Sequence, residues 1–580
     1  MSVITKQGNK FSLTYDLFSL PTAQHKAGLA GLLLLIDSLK ERRIEPMPVL
    51  EELTPTGARF AFTREALQTV FNDLFDGILE EVASKEKWKE KDGSGKKIER
   101  KPKRVEQKEV VLNGKKKLVP TYIYEDVRPK GAFLQWYYPD GDGLWLKLWR
   151  DMLWSTLRAI PKTRHFYDGT GRKPSHLAPD FWGNLEEALA QQKKGIILTD
   201  SLSSSLLVGA ENSNAERIPF KGAVSDNFLL HFWPIVSLIH VPRTWKLKRT
   251  AEQGFRAERD DFGFVLSVPE PADLKAFCKD AREVLRSLDV ESSGYRPSAA
   301  LIDVHEEGGL EYLYYFAHHR TERGGDYKLA LCALDVFHLY KDKKSHKVRQ
   351  LTAERILPRE DVLRDYELVR KKYWNPLFKA VVLRNLLDGK PWYFHFDQPF
   401  HRHPIGLFVR CQGETPREMT FFGVDVRKKF EGIETQLEND TKGGAVVDEQ
   451  TRDNELSMRV YRLTQTYVNL RTEEKSGKKY KEFSRQKDSG GRILYPQEYR
   501  EAREKVCSDA FLAMRGRRDQ EFVEYFTGTI CSVPQYLSQE EYIAVAGALM
   551  TDWERIKILS MLALSAHSYL SSNTENEEVK

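Results

Sequence analysis

His395, Asp397, His401 and His403 carry the side chains in this chain best suited to holding a metal ion. Imidazole and carboxylate groups are common zinc ligands, and histidines two apart on a strand point to the same side. On a strand, His401-Arg-His403 would offer two ligands together, with His395 and Asp397 nearby. A metal-dependent nuclease, or another nucleic-acid-processing enzyme, would need such a set. Trp392-Tyr-Phe394 and Pro399-Phe400 surround these residues and no third ligand is identifiable. The plainer expectation is a hydrogen-bonded, partly buried histidine pair. Elsewhere there is no GxxxxGK[ST], no GxSxG and no HExxH. Gly169-Thr-Gly-Arg-Lys173 has the wrong spacing for a phosphate loop, and no strand precedes it. These absences predict a non-catalytic protein that needs neither cofactor nor metal.

The chemistry that is present suits phosphate. The formal net charge is only +6, so any nucleic-acid site must come from local clustering. Lys85–Lys117 contains 14 Lys/Arg against 6 Asp/Glu. A second basic stretch, Lys162–Lys173, contains Arg172 and Lys173. The third runs through Arg459, Arg462, Arg471, Lys478, Lys479, Arg515, Arg517 and Arg518. From Leu456 to Gln520 the balance is 16 basic to 9 acidic residues; from Glu521 onward it is 3 to 9. Each cation can neutralise a phosphate, and summed contacts give strong, salt-dependent binding. Base edges call for different side chains. Asn212, Ser213, Asn214 and Arg217 form a polar stretch whose amides could pair with bases, and Gln191-Gln192 could do the same or wedge into a duplex. The alternative for the Asn-rich turn is that it satisfies its own backbone.

Elements must position these groups. With 41% apolar residues, 11 Trp, 24 Tyr and 30 Phe, the chain has ample material for large cores and is not wholly disordered. Its 5 cysteines are widely separated with no CxxC pair, which fits a reducing cytoplasm. The longest aliphatic run, Leu32–Ile36, is too short to span a bilayer, and the first residues lack a secretory pattern, so a soluble, cytoplasmic protein without a membrane partner is expected. A strand over Lys10–Leu17 leads to a helix opened by Pro21-Thr22, and a second amphipathic helix begins near Thr63. The 85–120 insertion reads as a β-hairpin or loop. Further strands are expected at Gly195–Thr199, Leu229–His240, Phe262–Val268, Ala299–Val304 and Leu310–His318, around a helix at Ala272–Leu288. Helical signals resume at Arg359–Leu387 and become firm after a Gly/Asp/Glu-rich segment. Ser538-Gln-Glu-Glu541 is a capping box before a long apolar helix through Ile543, Ala546, Leu549, Ile556 and Leu559. The fold class is α+β: an irregular mixed α/β body over 1–440, a linker over 441–455, and a C-terminal four-helix bundle over 456–580.

In this arrangement the chain resembles Cas8, the large subunit of type I CRISPR Cascade, and most nearly its myxococcal-type branch, associated with types I-B and I-A. The likeness lies in whole segments: Phe11 to Gly31, Phe232-Trp-Pro-Ile-Val-Ser-Leu238, Trp374-Asn-Pro376 and the bundle after Met458. It implies recognition rather than cleavage. The body would sit beside Cas5 at the crRNA 5′ end, read the protospacer-adjacent motif in target double-stranded DNA, and help open the duplex for R-loop formation, with fidelity left to base pairing. Cas7 would form the backbone, the bundle would resemble the small subunit Cas11, and Cas3 would be recruited as a separate nuclease-helicase. In some type I-B relatives a separate Cas11 arises from an internal start. By that resemblance Met458, at the expected beginning of the bundle, is the candidate start; Met514 would cut the bundle and Met419 would add a strand.

Overall fold

A computed structural model describes every residue except 1, 92–96, 113–114, 159–160, 168–174, 211–217, 251–253, 323–325, 343–347, 411–420, 444–448, 488–492, 534–537 and 571–580. Two compact units emerge: Met1–Pro242 with Asp261–Pro358, and Arg243–Asp260 with Arg359–Lys580. The first mixes sheets with helices and the second is dominated by helices, so the fold is α+β.

The first unit begins with an antiparallel sheet ordered Val3–Gln7, Lys10–Asp16, Gly57–Phe62, Val49–Leu53. Helix Ala23–Glu41 follows, its start fixed by the Thr22 hydroxyl accepting from the His25 amide. It is buried almost all round, as a helix central to a large core must be. Gly28 and Gly31 let it approach main chain: a Cβ on either would lie 2.1 Å from the Leu229 carbonyl oxygen or 2.2 Å from that of Phe232. That contact explains why Phe228–His231 and Trp233–Ile235 are short 3-10 turns rather than part of the strand expected from Leu229. The strand begins only at Leu238.

The larger sheet is ordered Gly254–Asp261, Leu238–Thr250, Phe264–Pro271, Leu331–Lys341, Val348–Ile356. Leu310–His318, expected as a strand, lies within helix Glu306–Glu322, which packs on this sheet. A run of apolar and aromatic residues buried on several sides does not reveal its period. Ile196 and Ile197, expected in a buried strand, are 54% and 49% exposed; the short strand there is Thr199–Ser201. The basic insertion is an antiparallel sheet of Gly77–Ser84, Lys115–Pro129 and Arg104–Leu112, beside a small hairpin of Lys89–Lys91 with Lys97–Glu99.

In the second unit, Arg359–Leu387 is two helices, Glu360–Lys372 and Pro376–Leu387. The break is built by Trp374-Asn-Pro376. The Asp425 carboxylate accepts from the amides of Trp374 and Asn375, and the Asn375 side chain caps the helix that Pro376 opens. Helix Trp553–His567 runs through the core and packs against Phe422–Gly443, Glu449–Ser476 and Gln497–Gly516. The first of these precedes the bundle start expected at 456, and Leu456 lies inside the second. Of the expected 441–455 linker, 444–448 lie outside the described residues and the remainder belongs to the flanking helices. The Ser538–Glu541 capping box is formed, but its helix ends at Thr551, where Asp552 caps a new one; Ile543 is 60% exposed.

Candidate nucleic-acid interface

His401 and His403 do not lie on a strand. His401 is in the short helix Asp397–Arg402 and His403 caps its C-terminal end, so no common face aligns them. Burial, then Lys557 and Arg515, hold the His401 pKa below its ordinary value, while burial and Arg402 do so for His403. Both imidazoles are thus kept neutral, but cations surround His401, a poor setting for a divalent ion. His395 has left-handed backbone (φ 60°) and contacts Lys390 and Gln398. Among the described residues, these four do not form a group with metal-ligand spacing; His305, Glu306 and Glu354 do.

Several of the insertion's cations are paired with carboxylates among the described residues. Lys103 pairs with Glu81 and Glu125, Arg104 with Glu81 and Glu106, and Lys87 with Glu99. Hydrogen bonds from Arg104 and Lys103 keep the Glu81 carboxyl below its usual range. Arg100 lies over the Trp88 ring, which stacks on Tyr124 at 4.6 Å. Such cross-strand pairs stabilise the sheet and occupy Lys87, Lys103 and Arg104 with carboxylates.

The bundle's basic residues divide in two. Arg459 pairs with Glu455, Arg462 with Glu434, and Arg471 with Glu474. Arg515 donates to the carbonyls of His401 and His403 (2.8 and 3.1 Å), and Arg517 lies over the Tyr525 ring. Lys478, Lys479 and Arg518 are exposed and form no ion pair among the described residues. Gln191 and Gln192 end the helix Leu177–Gln192, Gln191 half-buried and Gln192 exposed. Lys193 and Lys194 follow them, also exposed and without an ion pair among the described residues. Sequence reasoning passed over this pair because two lysines at a helix end are ordinary dipole complements. Arg172, Lys173, Asn212, Asn214 and Arg217 lie outside the described residues, as does Met419. His165 and His176, exposed and stacked at 4.9 Å, flank the 168–174 stretch.

Met458 is buried, 3% exposed, and stands nine residues into the helix Glu449–Ser476 rather than at its start. No helix among the described residues is long and apolar enough to cross a membrane.

None of the curated proteins compared with the chain matches it. Residues 47–326 match the Type I-B CRISPR Cas8b N-terminal domain family, and residues 331–567 match the Type I-B CRISPR Cas8b C-terminal domain family. The two matched stretches meet just before the strand Leu331–Lys341 and together cover nearly the whole chain. The chain therefore belongs to the Cas8b family, the large subunits of type I-B CRISPR effector complexes.

Proposed function

We propose that this chain recognises the protospacer-adjacent motif in duplex DNA and promotes unwinding and R-loop formation with the crRNA. Its partners in this reading are Cas5 and Cas7 in the complex, Cas11 small subunits, and Cas3, whose recruitment it supports. The observation that carries the reading is the sorting of its cations. Among the described residues, Arg459, Arg462, Arg471 and Arg515 are engaged by carboxylates or carbonyls, whereas Lys193 and Lys194 beside Gln191-Gln192, and Lys478, Lys479 and Arg518 in the helical unit, stand exposed without an ion pair. A sequence-independent grip by such cations leaves base reading to amides, the role proposed for Asn212 and Asn214.

Two experiments test it in the assembled complex. Asn212→Ala or Asn214→Ala is expected to weaken binding only to duplexes with the correct motif, by about 1–3 kcal/mol. Arg172→Ala or Lys173→Ala is expected to weaken all duplexes alike. Four variants indistinguishable from wild type across a motif library would move motif reading to another part of the chain. For the backbone grip, the triple variant Lys478→Ala, Lys479→Ala, Arg518→Ala is expected to flatten the log–log salt dependence of DNA binding by about 2–3, near 0.9 per lost phosphate contact. An unchanged slope would remove these residues from the interface. Arg515→Ala should instead lower thermal stability, since Arg515 is committed to carbonyls.

Met458 as an internal start belongs to the same proposal. An immunoblot against the C-terminus of the natively expressed gene is expected to show a short product beside the full chain; a single full-length band would rule the start out.

A further inference from the structure

Trp154 stands at the centre of a group of cations that the sequence keeps apart. Its ring is 5% exposed, and the guanidinium carbons of Arg164 and Arg128 lie over it, 4.5 and 5.5 Å from the ring centroid. The Arg164 Nη2–H also donates to the Trp154 carbonyl at 2.9 Å, which fixes one edge of its fork. Lys341 ends the strand Leu331–Lys341, which packs on the turn Leu153–Leu157 that carries Trp154. It lies close enough to Arg164 for the two charges to oppose each other.

Acidic partners are too few for these cations. The Asp126 carboxylate lies 3.6 Å from Arg128 and 4.0 Å from Arg100, and it accepts from the Trp154 indole N–H at 3.4 Å. Glu80 stands opposite Asp126 in the strand register and makes no ion pair among the described residues. Four cations, Arg100, Arg128, Arg164 and Lys341, therefore meet two carboxylates. Lys103 and Arg104, in the same sheet as Arg128, differ in having their carboxylates in place. Lys341 makes no ion pair among the described residues, and the Arg164 Nε–H is buried without an acceptor. Burial, then Arg164, hold the Lys341 ammonium below its ordinary pKa; burial and Arg128, against the pull of Asp126, do so for Arg164. Like charges so placed repel, and an anion among them turns that repulsion into attraction.

We propose that Arg128, Arg164 and Lys341 bind a phosphate group of a nucleic-acid backbone. Guanidinium forks match phosphate oxygens in pairs, and the ammonium adds a compact third charge. The Arg128 side chain is 25% exposed, and Arg164 and Lys341 are partly exposed, so a phosphate reaches them from solvent. Burial of Trp154 removes its ring as a stacking platform for bases, so the site grips backbone and does not read sequence. Free phosphate offers the same chemistry. That the phosphate belongs to DNA rests on the function proposed above; that the site takes phosphate does not.

Lys341→Gln tests the site, because a structural lysine and a phosphate ligand predict opposite signs. In chloride buffer the full-length variant is expected to melt at or above the wild-type temperature, since it relieves the repulsion with Arg164. Phosphate in place of chloride at equal ionic strength is expected to raise the melting temperature of wild type and of Lys341→Arg, and to leave Lys341→Gln nearly unmoved. In the assembled complex, Lys341→Gln is expected to weaken binding to duplexes of every motif alike and to lower the log–log salt slope by about 1. Equal phosphate shifts in wild type and Lys341→Gln, or a variant that melts lower in chloride, would overturn the site. A lost phosphate shift with an unchanged salt slope would assign the site to free phosphate and take it off the nucleic-acid surface. A wild-type complex that ignores the motif would instead defeat the functional reading and leave the phosphate result standing.

Discussion

Gly31→Ala will destabilise the first unit, although helix propensity alone predicts the reverse. Alanine is favoured over glycine in a helix interior by about 1 kcal/mol. At Gly31, however, the added methyl would stand 2.2 Å from the Phe232 carbonyl oxygen, 2.8 Å from its carbon and 3.2 Å from the Phe232 Cβ. These are main-chain atoms and a Cβ, so no rotamer change relieves them. Phe232 and the surrounding Leu32 and Leu35 are fully buried, so the segment cannot swing into solvent. Overpacking of this kind costs about 1–3 kcal/mol and more where backbone must move. Gly28→Ala meets the Leu229 carbonyl at 2.1 Å and should behave alike. The pair lies on one stretch of the same interface, so the double variant need not be additive. Gly183, exposed in the helix Leu177–Gln192 with nothing within 4 Å of its hypothetical Cβ, supplies the control. Denaturant melts should show Gly183→Ala more stable than wild type and Gly31→Ala less stable. Should Gly31→Ala move the midpoint in the same direction as Gly183→Ala, the close approach does not exist in solution.

That contact also shows what the sequence could reveal and what it could not. The helix Ala23–Glu41 was legible from Thr22 and the leucines behind it, because a cap and an apolar run are local signals. Its partner, Leu229 to Ile235, reads as the first part of a strand but forms two 3-10 turns. β-branched and aromatic residues have the same local pattern whether they form a strand or two tight turns under a helix, and tertiary contact decides. The α+β class, the capping box at Ser538 and the helix Gln497–Gly516 follow from local chemistry. Composition also counted charges without their partners. Lys103 and Arg104 read as phosphate ligands until Glu81, Glu106 and Glu125 are placed across the strands. The group of His305, Glu306 and Glu354 was missed for a related reason: His305 and Glu306 are 48 or more residues from Glu354, and only the packing of the helix Glu306–Glu322 on the sheet joins them. The nearer histidines, His401 and His403, offered spacing that a short helix then removed.

The helix Phe422–Gly443 makes the second large prediction, because it belongs to the bundle that a product started at Met458 would lack. Phe422, Val426 and Phe430 are fully buried and Ile433 is 3% exposed. Four such side chains contribute on the order of 6–12 kcal/mol at about 1.5–3 kcal/mol each. That is comparable to the whole stability of a typical domain, about 5–15 kcal/mol. The polar contacts point the same way. Arg427 donates to the carbonyl of Ala566 at 2.6 Å and to that of Tyr569, closing the end of the helix Trp553–His567. Gly423 brings the two helices so close that a Cβ there would lie 2.2 Å from the Ser565 carbonyl oxygen. Phe430 stacks on Tyr461 at 4.3 Å, and Tyr461 lies 4.3 Å from the His567 ring. A chain beginning at residue 458 would expose this face and lose the first turns of Glu449–Ser476 as well. Residues 458–580 alone are therefore expected to melt without cooperativity or to self-associate, whereas residues 359–580 should unfold in one cooperative transition. Far-ultraviolet and near-ultraviolet circular dichroism melts of the two fragments decide it. Equal cooperativity and midpoints would show that Phe422–Gly443 is dispensable to the bundle. The expected inequality means that a small subunit made from Met458 must cover the face that Tyr461, Ser565 and Ala566 present to Phe422–Gly443 with another chain.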